Sequence, residues 1–278
     1  MSRRPDGPVT LRTLRKMARE GTPFACLTAY DAMTARWLER GGVHVLLVGD
    51  TAAEMVLGFC RTIEMPLDVL VALTAGVKRG APETVVMADM PFMSYQADET
   101  QAVMNAARFL TQGQADVVKV EADATFEGVV AKMCRAGIPV CGHVGSRPQR
   151  AAIAGGYGSA GRTEEEAEAI IRDAVAMERA GCVMLLVEAV PPEVTQRIMR
   201  ATTLPLIGIG AGTACHGQVL VFHDLVGMTD APPRFAARSA DLGKAIQGAG
   251  EDWVTRVRER RIGGETYTMR GSQGGSVG

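Results

Sequence analysis

A lysine and a glutamate inside an apolar run are the first sign of chemistry in this sequence. In Asp116-Val117-Val118-Lys119-Val120-Glu121 the two charged residues are two apart, so in a β-strand they share one face. Charged side chains are almost never fully buried unless paired or bound to a metal, so the pair points to a site. Other apolar runs end in the same way, with Tyr30-Asp31, Asp50-Thr51, Asp89, His143, Glu188 and His223-Asp224. Four carboxylates, Asp50, Asp89, Glu121 and Glu188, come from four different runs. If those ends converge, the cluster calls for a cation. All-oxygen ligation suits Mg²⁺ or a similar hard divalent ion, and no spaced Cys/His set suggests zinc. Asp50 and Asp89, each directly after a run, are the better ligand candidates. For any one carboxylate the alternative is a cap on the following helix or turn.

Lys119 near a barrel mouth would bind a substrate carboxylate or oxyanion; a structural ion pair with Glu121 is the compatible alternative. His143, in Cys141-Gly142-His143-Val144-Gly145, closes a run with glycines on both sides that would let a ligand approach. A lone histidine can equally be a satisfied core residue. His44 begins a run and reads as structural. Gly208-Ile209-Gly210-Ala211-Gly212 lacks the GxGxxG spacing and reads as a tight turn.

Short apolar runs must position these groups. They occur at 24–28, 44–48, 84–88, 116–120, 139–142, 182–187, 204–209 and 218–222. Amphipathic helical patterns lie between most of them, at 32–40, 67–79, 99–112, 126–136, 164–180 and 192–201, with another at 9–20 ahead of the first run. Continuous apolar strands alternating with helices imply parallel strands joined by crossovers. Eight such units predict an α/β fold, a (β/α)8 TIM barrel of the usual size of about 250 residues. Helices at 235–248 and 251–260 are expected to close it. Residues 1–8 read as a disordered N-terminus, 9–269 as one barrel domain and 270–278 as a flexible Gly/Ser tail. Two connections are long, 51–66 and 144–163, and long loops after barrel strands cover the active face.

The bulk composition removes several classes. Lys+Arg 30 against Asp+Glu 31 leaves a formal charge of -1, which offers nothing to nucleic acid or an anionic membrane. The N-terminal residues do not read as a signal peptide, no apolar run approaches membrane length, and the six cysteines are scattered without a CxxC pair. A cytoplasmic protein with reduced, buried cysteines is expected.

As a set, the motifs Leu27-Thr28-Ala29-Tyr30-Asp31, Leu47-Val48-Gly49-Asp50, Ala88-Asp89-Met90-Pro91-Phe92, Val118-Lys119-Val120-Glu121, Pro139-Val140-Cys141-Gly142-His143, Gly155-Gly156-Tyr157, Val187-Glu188 and Gly217-Gln218-Val219-Leu220-Val221 resemble ketopantoate hydroxymethyltransferases. The resemblance runs in order from about residue 11 to residue 267. It implies a barrel of the phosphoenolpyruvate/pyruvate type assembled as a homo-oligomer, usually a decamer. It also implies hydroxymethyl transfer from 5,10-methylenetetrahydrofolate to 3-methyl-2-oxobutanoate, giving 2-dehydropantoate for pantothenate synthesis. By the same resemblance Asp50 and Asp89 would hold Mg²⁺, with Glu121 a third ligand, direct or through water. Lys119 would hold the substrate carboxylate with Thr51 and His143 nearby, and Glu188 would accept the proton.

The sequence departs from the family pattern in places. Thr51 replaces a serine, Ala52-Ala53-Glu54-Met55 a glycine-containing segment and Phe59 a histidine; Gly158-Ser159-Ala160 stands for Lys-Val-Gln and His216 for an aspartate. Such changes touch the pocket or the folate contacts and leave open a related 2-oxo acid as substrate. Two other readings remain: a lyase or mutase of the same superfamily acting on a 2-oxo acid, or a catalytically silent barrel serving as a binding subunit.

Overall fold

The computed structural model describes residues 7–267. Eight strands, β1 (Phe24–Thr28), β2 (Val45–Val48), β3 (Val85–Asp89), β4 (Val117–Glu121), β5 (Val140–Gly145), β6 (Met184–Glu188), β7 (Leu206–Ile209) and β8 (Gly217–Leu220), pair in parallel in that order. β8 returns to β1, so the sheet is a closed barrel, as expected. The helices are α1 (Leu11–Arg19), α2 (Ala32–Arg40), α3 (Ala52–Met55), α4 (Leu67–Gly80), α5 (Glu99–Thr111), α6 (Glu127–Arg135), α7 (Ala151–Ala154), α8 (Glu164–Ala180), α9 (Pro192–Ala201), α10 (Phe222–Leu225) and α11 (Leu242–Arg258). The terminal segments expected to be disordered lie outside the described residues, apart from Gly7 and Pro8, which are irregular. Among the described residues no helix is long and apolar enough to cross a membrane.

The apolar runs are continuous because each strand is covered twice. In β2, β3 and β4 every residue is buried, one face by the helix layer and the other by the lumen. The lumen is filled by Phe24, Cys26, Leu47, Met87, Val117, Cys141, Leu186 and their neighbours, and Leu14 of α1 plugs its N-terminal end. Side chains of period two then place the next lumen layer: Asp89 above Met87, Lys119 and Glu121 above Val117, His143 above Cys141, Glu188 above Leu186. A fully buried Leu or Met contributes about 1.5–3 kcal/mol, whereas a buried charge costs several. The apolar lower layers therefore offset the charged top one.

Three expectations need correction. Residues 235–260 do not form two barrel-closing helices: one helix, α11, runs through Gly248 and Gly250 and buries none of its residues. A helical glycine costs only about 1 kcal/mol relative to alanine, too little to break a 17-residue helix. The segment before it is irregular, and the Phe235 ring lies against Gly210, where a Cβ would come within 2.7 Å of it. Second, β5 continues to Gly145, so His143 lies inside the strand. Third, His223 and Asp224 sit on α10 instead of at a strand end. The four-residue helices α3, α7 and α10 were not legible, being too short to show a period.

Candidate active site

Parallel register fixes the polar layer. Asp89 stands opposite Lys119, and Glu121 opposite His143. Lys119 Nζ pairs with Asp89 Oδ1 at 3.0 Å, across strands, rather than with Glu121 two residues along. Asp89 Oδ2 accepts the Asp50 main-chain N–H at 3.0 Å. None of the four carboxylates accepts a hydrogen bond from the helix that follows it; their partners are Asp50 N–H, Gln149 and Lys119. The capping alternative is thus excluded for all four. The structure brings together Asp50, Thr51, Asp89, Lys119, Glu121, His143 and Glu188 on the lining of one cavity of about 1170 Å³ at the carboxyl ends of the strands.

The charges in this layer do not balance. Four carboxylates face one ammonium, and Asp50, Asp89, Lys119 and Glu121 are each no more than 6% exposed. Burial and then the Asp89 charge push Asp50 up to about 7. Burial raises Glu121 well above the carboxylate range, against the pull of Lys119. Burial alone would lower Lys119, but the charges of Asp89, Glu121 and Asp50 raise it, so the ammonium is retained. Hard oxygen donors held this close and this reluctant to ionise fit a divalent cation. Among the described residues no three Asp, Glu, His or Cys side chains are arranged to hold an ion alone. Mg²⁺ requires no such cage, since it keeps waters and takes one or two carboxylates with substrate oxygens.

His143 connects the ammonium to the remaining carboxylate. Its Nδ1 lies 3.2 Å from Lys119 Nζ, which can only donate, so Nδ1 accepts and the ring proton sits on Nε2. Nε2 is buried and makes no hydrogen bond, and Glu188 Oε2 lies 3.4 Å from it. Burial, with the Lys119 charge second, lowers His143 well below its ordinary value and keeps the ring neutral. Glu188 keeps 22% of its side chain accessible through the cavity, and burial raises it to about 7. The flanking glycines serve packing rather than ligand access. A Cβ on Gly142 would lie 2.7 Å from Met177 of α8, and Gly145 has φ +90 with its would-be Cβ 2.6 Å from Glu188 O. That close approach lets Ser146 N–H donate to Glu188 O at 2.9 Å and draws the end of β6 against β5.

The structure adds contacts around the site that the sequence does not show, and two residues, Gln149 and Tyr95, that it did not single out. The Tyr30 and Thr51 hydroxyls share a 2.6 Å hydrogen bond that orients Thr51 at the cavity wall. Gln149, on the long connection after β5, donates from Nε2 to Asp50 Oδ2 at 2.9 Å. Tyr95 donates to Gln149 Oε1 at 3.0 Å and accepts the Glu121 N–H at 3.0 Å. The only sequence signal for Gln149 was the length of its loop; Tyr95 gave none. Gly210 and Gly212, at φ +58 and +79, form the tight turn expected after β7.

The comparisons with known proteins agree with this geometry. The family profile described as ketopantoate hydroxymethyltransferase matches residues 8–264. A 3-methyl-2-oxobutanoate hydroxymethyltransferase of Hyperthermus butylicus is 42% identical over 257 residues, which cover 92% of this chain and 89% of that one. One of Shouchella clausii is 38% identical over 260 residues, covering 93% of each chain. Among solved structures, phosphonopyruvate hydrolase in complex with oxalate and Mg²⁺ superposes with a TM-score of 0.62 at 13% identity, covering 91% of this chain and 88% of that one. A 2,3-dimethylmalate lyase, a PEP mutase/isocitrate lyase superfamily member, gives 0.59 at 17% identity, covering 93% and 91%. At these identities the likeness is one of fold, that of a closed (β/α)8 barrel.

Proposed function

The chain belongs to the ketopantoate hydroxymethyltransferase family, and from that premise we propose that it is the enzyme transferring a hydroxymethyl group from 5,10-methylenetetrahydrofolate to 3-methyl-2-oxobutanoate, or a related 2-oxo acid, giving 2-dehydropantoate for pantothenate synthesis. The observation that carries this reading is the position of Glu188. It is a carboxylate raised to about 7, on a different strand from Asp50 and Asp89, facing the same cavity. A general base works best with a pKa near the working pH, and it must stand apart from groups occupied in holding the substrate.

The remaining residues divide the work. Mg²⁺ held by Asp50 and Asp89, with Glu121 a third ligand, direct or through water, would supply positive charge to the 2-oxo acid as its carbonyl oxygen becomes enolate-like. Lys119 and the Thr51 hydroxyl hold the substrate carboxylate. Glu188 removes the proton from C3. His143, whose Nε2 lies 3.4 Å from Glu188 Oε2, packs beside the base without competing for the proton, because burial and the Lys119 charge keep the ring neutral. The C3 enolate then bonds the one-carbon unit, water supplies the hydroxyl oxygen, and tetrahydrofolate leaves. A cavity of about 1170 Å³ exceeds the ~300–1,000 Å³ typical for one drug-sized ligand. That size supports a site for two substrates.

The experiment is proton exchange at C3 of 3-methyl-2-oxobutanoate in D2O, followed by NMR with and without Mg²⁺ and without folate. Metal-dependent exchange is expected. A protein that binds Mg²⁺ yet exchanges nothing would exclude this 2-oxo acid as the substrate. A cytoplasmic location and a homo-oligomeric assembly belong to the same proposal. Exposed Leu242, Ile246, Trp253, Val254 and Val257 on α11 support the assembly, which sedimentation would test.

A further inference from the structure

We propose that Gln149 is the positioning residue through which the long connection after β5 sets the divalent-cation site, so that seating of this loop and cation binding are coupled. The inference rests on the cation reading given under Proposed function. Gln149 is 6% exposed and reaches the polar layer from a short turn at Pro148–Arg150. Its Nε2 donates to Asp50 Oδ2 at 2.9 Å and to Met90 O at 3.0 Å. Its main-chain N–H donates to Glu121 Oε2 at 3.0 Å. One residue thus holds an oxygen of two carboxylates that come from different strands.

The amide orientation is not arbitrary. Met90 O can only accept, so the NH₂ end must face it and, with it, Asp50. Oε1 then accepts from the Tyr95 hydroxyl at 3.0 Å and from Gln96 Nε2 at 3.2 Å. Both N–H groups of the amide are used, and the single Tyr95 proton is shared between Gln149 Oε1 and Glu121 O, each 3.0 Å away. The Tyr95 hydroxyl also accepts the Glu121 N–H, which ties the same network to the β4 strand end. The loop itself is anchored from outside, by Arg147 and Arg150 on Asp123 at 2.9 and 2.5 Å and by Ser146 N–H on Glu188 O. Two buried carboxylates are therefore held in place by the neutral amide and main-chain N–H donors of a single residue. Such an arrangement lowers the cost of orienting the ligands and leaves the charge for the cation to meet.

The test is calorimetric titration of the full chain with Mg²⁺ alone, paired with amide hydrogen exchange over residues 146–160. In the wild type, Mg²⁺ should bind and slow exchange in that segment. Gln149→Ala should weaken Mg²⁺ binding by about 10- to 100-fold, the range for loss of a ligand-orienting partner, and lose the Mg²⁺-induced protection. Tyr95→Phe, a milder change that keeps the ring, should weaken binding several-fold and guards against a Gln149→Ala protein that does not fold. Wild-type affinity and protection in either folded variant would overturn the coupling while leaving the cation site intact. Absence of Mg²⁺ binding in the wild type would overturn the cation reading itself together with this inference.

Discussion

Glu188→Gln is the sharpest perturbation available, because it removes the ionisable oxygen and keeps the shape. The new amide would still present a carbonyl oxygen to His143 Nε2, 3.4 Å from the carboxylate in the wild type, so the layer should stay assembled. Removing a general base costs about 10²–10⁴ in rate. The wild-type group, raised to about 7 by burial, is only about one tenth ionised at pH 6 and mostly ionised at pH 8. The sign follows directly: the reactive form is the carboxylate, so C3 exchange in D2O should rise about tenfold per pH unit below pH 7 and level off above it. In Glu188→Gln the residual rate should be lower by the factor above and lose that pH dependence, with Mg²⁺ affinity within a few-fold of wild type. A variant that retains the full rate, or the same midpoint near pH 7, would refute Glu188 as the base.

Three further outcomes follow from the same layer. Asp50 is raised from 3.8 to about 7, so its ionisation costs the metal-free protein up to ~4 kcal/mol of stability, lost as pH rises from about 4 to about 7. Without Mg²⁺, Asp50→Asn should therefore melt higher than wild type at pH 8 and no higher at pH 4, and should gain no stability from added Mg²⁺; equal melting at pH 8 would contradict the buried-charge argument. Gly145→Ala, at φ +90 and with its new Cβ 2.6 Å from Glu188 O, should lose about 1–3 kcal/mol in thermal or denaturant unfolding and slow exchange by displacing the base. Lys119→Met leaves Asp89 buried without its 3.0 Å partner, so about 3–5 kcal/mol of metal-free stability and saturation by the 2-oxo acid should both be lost, read by denaturation and by KM.

How much of this was legible in the sequence can be judged residue by residue. The strand at 24–28 and the helices at 32–40, 164–180 and 192–201 were placed to the residue, because a doubly covered strand shows as an unbroken apolar run and an amphipathic helix as a period of 3.6. Charged residues closing such runs marked Asp50, Asp89, Lys119, Glu121 and Glu188, since a charge in a buried context needs a reason. What the sequence determined alone, then, was the barrel and the residue types at its mouth. Tertiary structure decided the pairings. Lys119 meets Asp89 through strand register, His143 lies beside Lys119 and Glu188 although each is two residues from its register partner on the neighbouring strand, and Gln149 reaches Asp50 across 99 positions of chain. It also decided that α11 stands with its apolar stripe uncovered, which its sequence period cannot distinguish from a packed helix. Periodicity reports the surroundings of one segment at a time, whereas hydrogen bonds and ion pairs depend on which segments the closed barrel sets side by side.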